Sequence, residues 1–187
     1  MNLPTKITFT RIVGSPLFVL FFYLGLLGQQ WALVVALILA AIFELTDLID
    51  GLLARRWGQV TDLGKVLDPF ADCISRFSVF LCFMLAGYAH IFMVALIFYR
   101  DIIVANIRIA AAMRGSVMQA RTSGKIKGVV QAVVILAVML GINFFGIENQ
   151  DFENISLWAM GILTAVTVWS GLDYLLGYLR VVHPAKR

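Results

Sequence analysis

Long apolar runs alternate along this chain with short polar breaks. The runs cover 12–27, 31–56, 67–87, 91–113, 126–145 and 155–176 and are built mainly of Leu, Ile, Val, Ala and Phe. A run of about 20 apolar residues crosses a ~30 Å hydrocarbon layer as a helix, so the pattern predicts six transmembrane helices. A short stretch at 3–10 precedes them. Pro4 suits a first helical turn, and Leu3 and Ile7 share a face, so this stretch reads as an interfacial helix.

The polar breaks are of two kinds. Gly28-Gln29-Gln30 and Tyr88-Ala89-His90 contain no Lys or Arg, and 146–154 carries Glu148, Asp151 and Glu153 without a base. The opposite ends of the runs hold Lys6, Arg11, Arg55, Arg56, Lys65, Arg114, Arg121, Lys125, Lys127, Arg180, Lys186 and Arg187. Basic residues collect on the cytoplasmic side, so both termini are expected there. The start has no apolar core followed by a small-residue cleavage site, so the first run is expected to remain as a membrane helix.

Composition sharpens the class. Of 187 residues, 61% are hydrophobic, against roughly 45–50% in soluble proteins. The fold class expected is an all-α integral membrane protein, one domain over 1–187. The net charge is +4, but its bases line a membrane face and form no soluble basic domain. No nucleic acid is expected as a partner. Cys73 and Cys82 fall in one run and show neither a disulfide framework nor a metal spacing.

Four acidic residues break the apolar pattern. Asp47 and Asp50 are three apart and Asp68 and Asp72 four apart, so each pair shares a helix face. The turn near Gly58 makes the second and third helices antiparallel neighbours, which places both pairs at similar depth near the cytoplasmic end. A bare carboxylate deep in a bilayer costs about 2.5–3.5 kcal/mol, and four cost roughly 10 kcal/mol. Divalent cations offset this most simply. Hard ions take carboxylate oxygens, and four carboxylates suffice for two ions clamping a diphosphate. Gly51, Ala54 and Gly64 permit close approach of a ligand, and the planar fork of Arg55 suits a phosphate.

Read together, Asp47, Asp50, Gly51, Ala54, Arg55, Gly64, Asp68 and Asp72 spell D-x-x-D-G-x-x-A-R-x8-G-x-x-x-D-x-x-x-D over 47–72. This resembles the signature of the CDP-alcohol phosphotransferase family at every fixed position and gap. The resemblance implies two Mg²⁺ or Mn²⁺ ions held by Asp47, Asp50, Asp68 and Asp72, with Asp72 also the general base. It implies a CDP pocket lined by Gly51, Ala54, Arg55, Thr61 and Gly64. The reaction implied is displacement of CMP from CDP-diacylglycerol by an alcohol, at the cytoplasmic face of a bacterial inner membrane, by a homodimer among membrane lipids.

The acceptor is read from the remaining charges. Arg108, Arg121, Lys125 and Lys127 cluster at the cytoplasmic ends of the fourth and fifth helices, as an acceptor phosphate requires. Three stretches are similar to family members that use glycerol 3-phosphate: Asn2 to Arg11 (N-x-P-x-x-x-T-x-x-R), Arg100-Asp101 with Arg108, and Gly124-Lys125-Ile126-Lys127. Those members usually place a lysine after the last aspartate, where this chain has Cys73; Arg76, one turn on, is its expected substitute. Glycerol 3-phosphate is therefore the expected acceptor, with an inositol phosphate or a phospholipid as alternatives. From another class, a divalent-cation transporter also needs intramembrane carboxylates. It would place them at mid-membrane and beyond, and not beside arginines at one face.

Overall fold

The computed structural model describes the backbone of residues 3–57, 62–113 and 121–182, and the side chains of residues 10–47, 70–109 and 121–179. The described residues form six helices and no strand: α1 (Leu3–Leu26), α2 (Gln30–Trp57), α3 (Asp62–Leu85), α4 (Ile91–Met113), α5 (Thr122–Phe145) and α6 (Gln150–Val182). The expected interfacial stretch is continuous with the first span. Pro16 lies inside α1, and the Ser15 hydroxyl donates to the Arg11 carbonyl at 2.7 Å just before it.

The helices close into a ring. α1 packs on both α2 and α3, α2 on α5, α5 on α6, α6 on α4, and α4 on α3. Among the described residues α2 and α3 meet around Glu44, Asp47 and Arg76, with α1 packed against both; their connecting turn near Gly58 lies outside the described residues. Hydrophobic spacing along one helix says which face is apolar and nothing about which helix covers it.

The outer surface differs from that of a soluble protein. Leu17, Leu20, Trp31, Ile38, Trp158, Ile162 and Trp169 are exposed, whereas Arg11, Ser75, Ser123, Lys127, Gln131, Thr167 and Ser170 are buried together with an apolar core. Large apolar side chains outside and a mixed interior fit a bundle whose solvent is lipid. By length and composition, segments of α2 (Gln30–Asp47), α5 (Thr122–Phe145) and α6 (Gln150–Leu179) are long and apolar enough to cross a membrane. α3 and α4 match them in length, 24 and 23 residues, but carry charges in their inward faces.

The interior itself is divided by height. Toward one end lie Phe18, Phe22, Phe80, Phe83, Tyr88, Met139, Ile142, Met160 and Leu163, all nearly or fully buried in one cluster. Below them lie Arg11 and Lys127 on the N-terminal halves of α1 and α5 and Asp72 and Arg76 near the middle of α3, with Glu44, Asp47, Arg100 and Asp101 on α2 and α4. The apolar end is closed by loops. Gly87 and Gly146 follow α3 and α5 with φ of 87° and 85°, a conformation that L residues avoid. The Tyr88 hydroxyl donates to the Ile147 carbonyl at 2.8 Å, tying these two loops together. Burial first, and Glu153 second, push that hydroxyl up to about 12, so it stays a donor.

Candidate active site

Asp47 and Asp72 come from different helices, α2 and α3, and two cations join them. Arg11 on α1 is 2% exposed; its Nη1 lies 3.4 Å from Asp47 Oδ1 and also donates to Asp72 Oδ1. Arg76, one turn past Asp72, donates from Nη2 to Asp47 Oδ2 at 2.6 Å and lies 3.6 Å from Glu44 Oε2. The carboxylates remain partly open, Asp47 35% and Asp72 29% exposed. A buried charge without a partner is expensive, so each of these groups requires the others. Glu44 was not singled out from sequence. It sits one turn before Asp47, and only its buried pairing with Arg76 marks it.

Asp50, Gly51, Ala54 and Arg55 lie on α2 beyond Asp47, and Gly64 and Asp68 on the first turns of α3 before Asp72. Their side chains, and Thr61 altogether, lie outside the described residues. No group of three His, Cys, Asp or Glu able to hold an ion occurs among the described residues. The described half of the motif nevertheless fits a hard cation. Asp47 and Asp72 both offer oxygen donors, and a single guanidinium already bridges them.

A second charged group joins α4, α5 and α6. Lys127 Nζ, 4% exposed, donates to both Asp101 oxygens at 2.8 Å. Arg100 donates to Asp101 Oδ1 at 3.1 Å and to Ser170 Oγ at 2.6 Å, and its guanidinium lies 5.5 Å from the Tyr174 ring centroid. At the start of α5, Arg121 Nε lies 3.1 Å from Asp173 Oδ2 and its Nη1 donates to the Asp173 carbonyl at 2.6 Å. The Arg121 N–H donates to the Tyr174 hydroxyl at 3.0 Å, and Ser123 Oγ donates to Asp173 Oδ2 at 2.5 Å. Two of the four predicted phosphate-binding cations, Lys127 and Arg121, are thus already engaged by carboxylates. Arg108 and Lys125 are exposed, and neither has a hydrogen bond or ion pair with another of the described residues. Sequence reading passed over Asp173 and Tyr174, whose partners lie some fifty residues away.

Between α3 and α4 a narrow cleft of about 10 Å³, room for about one water, opens beside the first group. Phe77, Phe80, Val94, Ile97 and Phe98 form most of its wall, and Cys73, Arg76 and Asp101 form its polar part. Cys73 directly follows Asp72, and Arg76 holds Asp47, so the cleft adjoins the paired aspartates.

Comparison with known proteins gives the family. A family model described as CDP-alcohol phosphatidyltransferase matches residues 1–169. A Bacillus subtilis protein named CDP-diacylglycerol–glycerol-3-phosphate 3-phosphatidyltransferase is 33% identical over 177 residues, 90% of this chain and 92% of its own. Proteins of the same name from Pectobacterium atrosepticum and Salmonella typhimurium are 32% and 31% identical, each alignment covering 93% of both chains. The match runs from before Arg11 to beyond the Lys127 pair and takes in the whole aspartate motif, and on that extent this chain belongs to the CDP-alcohol phosphatidyltransferase family.

Proposed function

We propose that this protein transfers the phosphatidyl group of CDP-diacylglycerol to glycerol 3-phosphate, forming phosphatidylglycerophosphate and releasing CMP. The observation that carries the reading is the meeting of Asp47 and Asp72, from separate helices, on one cation at the polar end of a membrane bundle. Full-length similarity to relatives bearing that activity in their names supports the choice of donor and acceptor.

In this reading Asp47, Asp50, Asp68 and Asp72 hold two Mg²⁺ or Mn²⁺ ions. When bound, the ions supply Lewis-acid stabilisation of a diphosphate and its leaving oxygen. The chain's own residues do the rest. Gly51, Ala54, Arg55, Thr61 and Gly64 receive the cytidine diphosphate. Asp72 takes the proton of the acceptor's primary hydroxyl, whose oxygen bonds to the lipid-side phosphorus. The bond from that phosphorus to the CMP oxygen breaks, and CMP leaves to the cytoplasm. Arg76 holds Asp47 in place throughout. Of the basic cluster, Arg108 and Lys125 are open to the acceptor phosphate, while Asp101 and Asp173 hold Lys127 and Arg121 beside it. Both termini face the cytoplasm, and the protein works as a homodimer.

The test is CMP release by purified protein with CDP-diacylglycerol and, in parallel, glycerol 3-phosphate, inositol 1-phosphate, serine or no acceptor. Release with glycerol 3-phosphate alone, lost on chelation and restored by Mg²⁺ or Mn²⁺, is the expected result. Release with another acceptor would overturn the acceptor and leave the aspartate chemistry standing.

A further inference from the structure

In that reaction Asp101 only holds Lys127, yet its surroundings are those of a built recognition group. Its carboxylate is 17% exposed and lines the α3–α4 cleft. Lys127 grips both of its oxygens and Arg100 one of them, so the group is charged and fixed in direction. Arg100 is itself held by Ser170, and Gly171 leaves room for it: a Cβ there would lie 2.9 Å from Arg100 Cγ. Across the cleft stand Cys73 and Arg76, the neighbours of Asp72 in sequence and of Asp47 in space. Each carboxylate oxygen has more acceptor sites than these bonds fill. The cleft that Asp101 lines has room for about one hydroxyl, and its other polar wall is Cys73, next to Asp72 in sequence, and Arg76.

We propose that Asp101 is the specificity-determining residue for the acceptor's polyol part, accepting a hydrogen bond from the hydroxyl next to the reacting one. An ionised carboxylate accepts and never donates, so it selects for a hydroxyl at that position and against any substituent that cannot donate. A phosphate is served by the exposed cations. The secondary hydroxyl needs an acceptor fixed near Asp72, and Asp101 is the carboxylate that lines the cleft there. Lys127 and Arg100 are then positioning residues that keep Asp101 aimed. This inference rests on the acceptor reading proposed above and adds which atom of that acceptor is read.

The experiment uses the full-length protein, CDP-diacylglycerol and three acceptors: glycerol 3-phosphate, 3-hydroxypropyl phosphate, which lacks the secondary hydroxyl, and its 2-fluoro derivative, which has similar size and no donor. A hydrogen bond to a charged group corresponds to about ten- to hundredfold in kcat/KM. The wild type should reject both analogues by that factor. Asp101→Asn should lose most of that preference, through a fall in kcat/KM for glycerol 3-phosphate and little change for the analogues, with the KM for CDP-diacylglycerol unmoved. An equal fall for all three acceptors would reduce Asp101 to an ion-pair partner of Lys127 and overturn the proposal. Should the variant not fold, the wild type still decides: acceptance of the 2-fluoro analogue as readily as glycerol 3-phosphate would sink the idea. Turnover by the wild type with a different acceptor class and none with glycerol 3-phosphate would instead overturn the parent reading.

Discussion

The pairing of Asp72 with Arg11 and its partial exposure set what a single substitution does. Asp72→Asn keeps the size and one acceptor oxygen and removes the proton-accepting charge. It should leave the helical signal and thermal unfolding near wild type and lower kcat by about 10²–10⁴-fold. Retained turnover in the CMP assay would remove Asp72 as base. The aspartates themselves were legible in sequence, because charge in an apolar run is conspicuous and their spacing is helical. Glu44 was not, and Arg11 was legible only as the end of the Asn2 to Arg11 stretch, without its partners. Arg11 reaches Asp47 and Asp72 across 36 and 61 residues, and a lone arginine at a basic membrane face carries no local mark of such a partner. Lys127 and Arg121 were legible as cations and illegible as ion-pair members, since their carboxylates stand on other helices.

Among elements, the start of α5 is the one most visibly fixed by a neighbour. Arg121 lies where a side chain at Gly177 of α6 would be; even a methyl there overlaps the guanidinium. Gly177→Leu should therefore break the Arg121–Asp173 pair, cost about 1–3 kcal/mol in stability, and raise KM for glycerol 3-phosphate more than KM for CDP-diacylglycerol. Gly128→Ala is the contrast. Nothing lies within 4 Å of a Cβ there, and alanine favours a helix over glycine by roughly 0.8–1 kcal/mol, so melting should be unchanged or later. Scanning calorimetry or a dye melt with acceptor kinetics checks both. The sequence shows Gly124 and Gly128 at the spacing of a helix-pairing face, but only Gly124 meets another helix, against Tyr174. Helix existence followed from the apolar runs with small shifts of boundary; helix adjacency did not, because the period of one helix does not encode the order of six.

For the whole molecule, an even number of helices puts the start of α1 and the end of α6 at the same end of the ring. Single cysteines placed at Gln29, His90 or Asn149 of a cysteine-free variant should react with an impermeant thiol reagent applied to intact cells. Cysteines placed at Thr122 or Gly64 should react only after lysis; the opposite pattern would invert the orientation. The division of the interior by height has one more consequence. Four basic and four acidic side chains gather toward one end of the ring: Arg11, Arg76, Arg100 and Lys127 with Glu44, Asp47, Asp72 and Asp101. Were that chamber continuous with the far surface, water threading it would let protons run down the membrane potential. Phe18, Phe22, Phe83, Met139, Ile142 and Met160, each with no exposed surface, close the remaining depth. Half of this small bundle is thus insulation, which lets a cell run ionic chemistry inside its energised membrane without short-circuiting it.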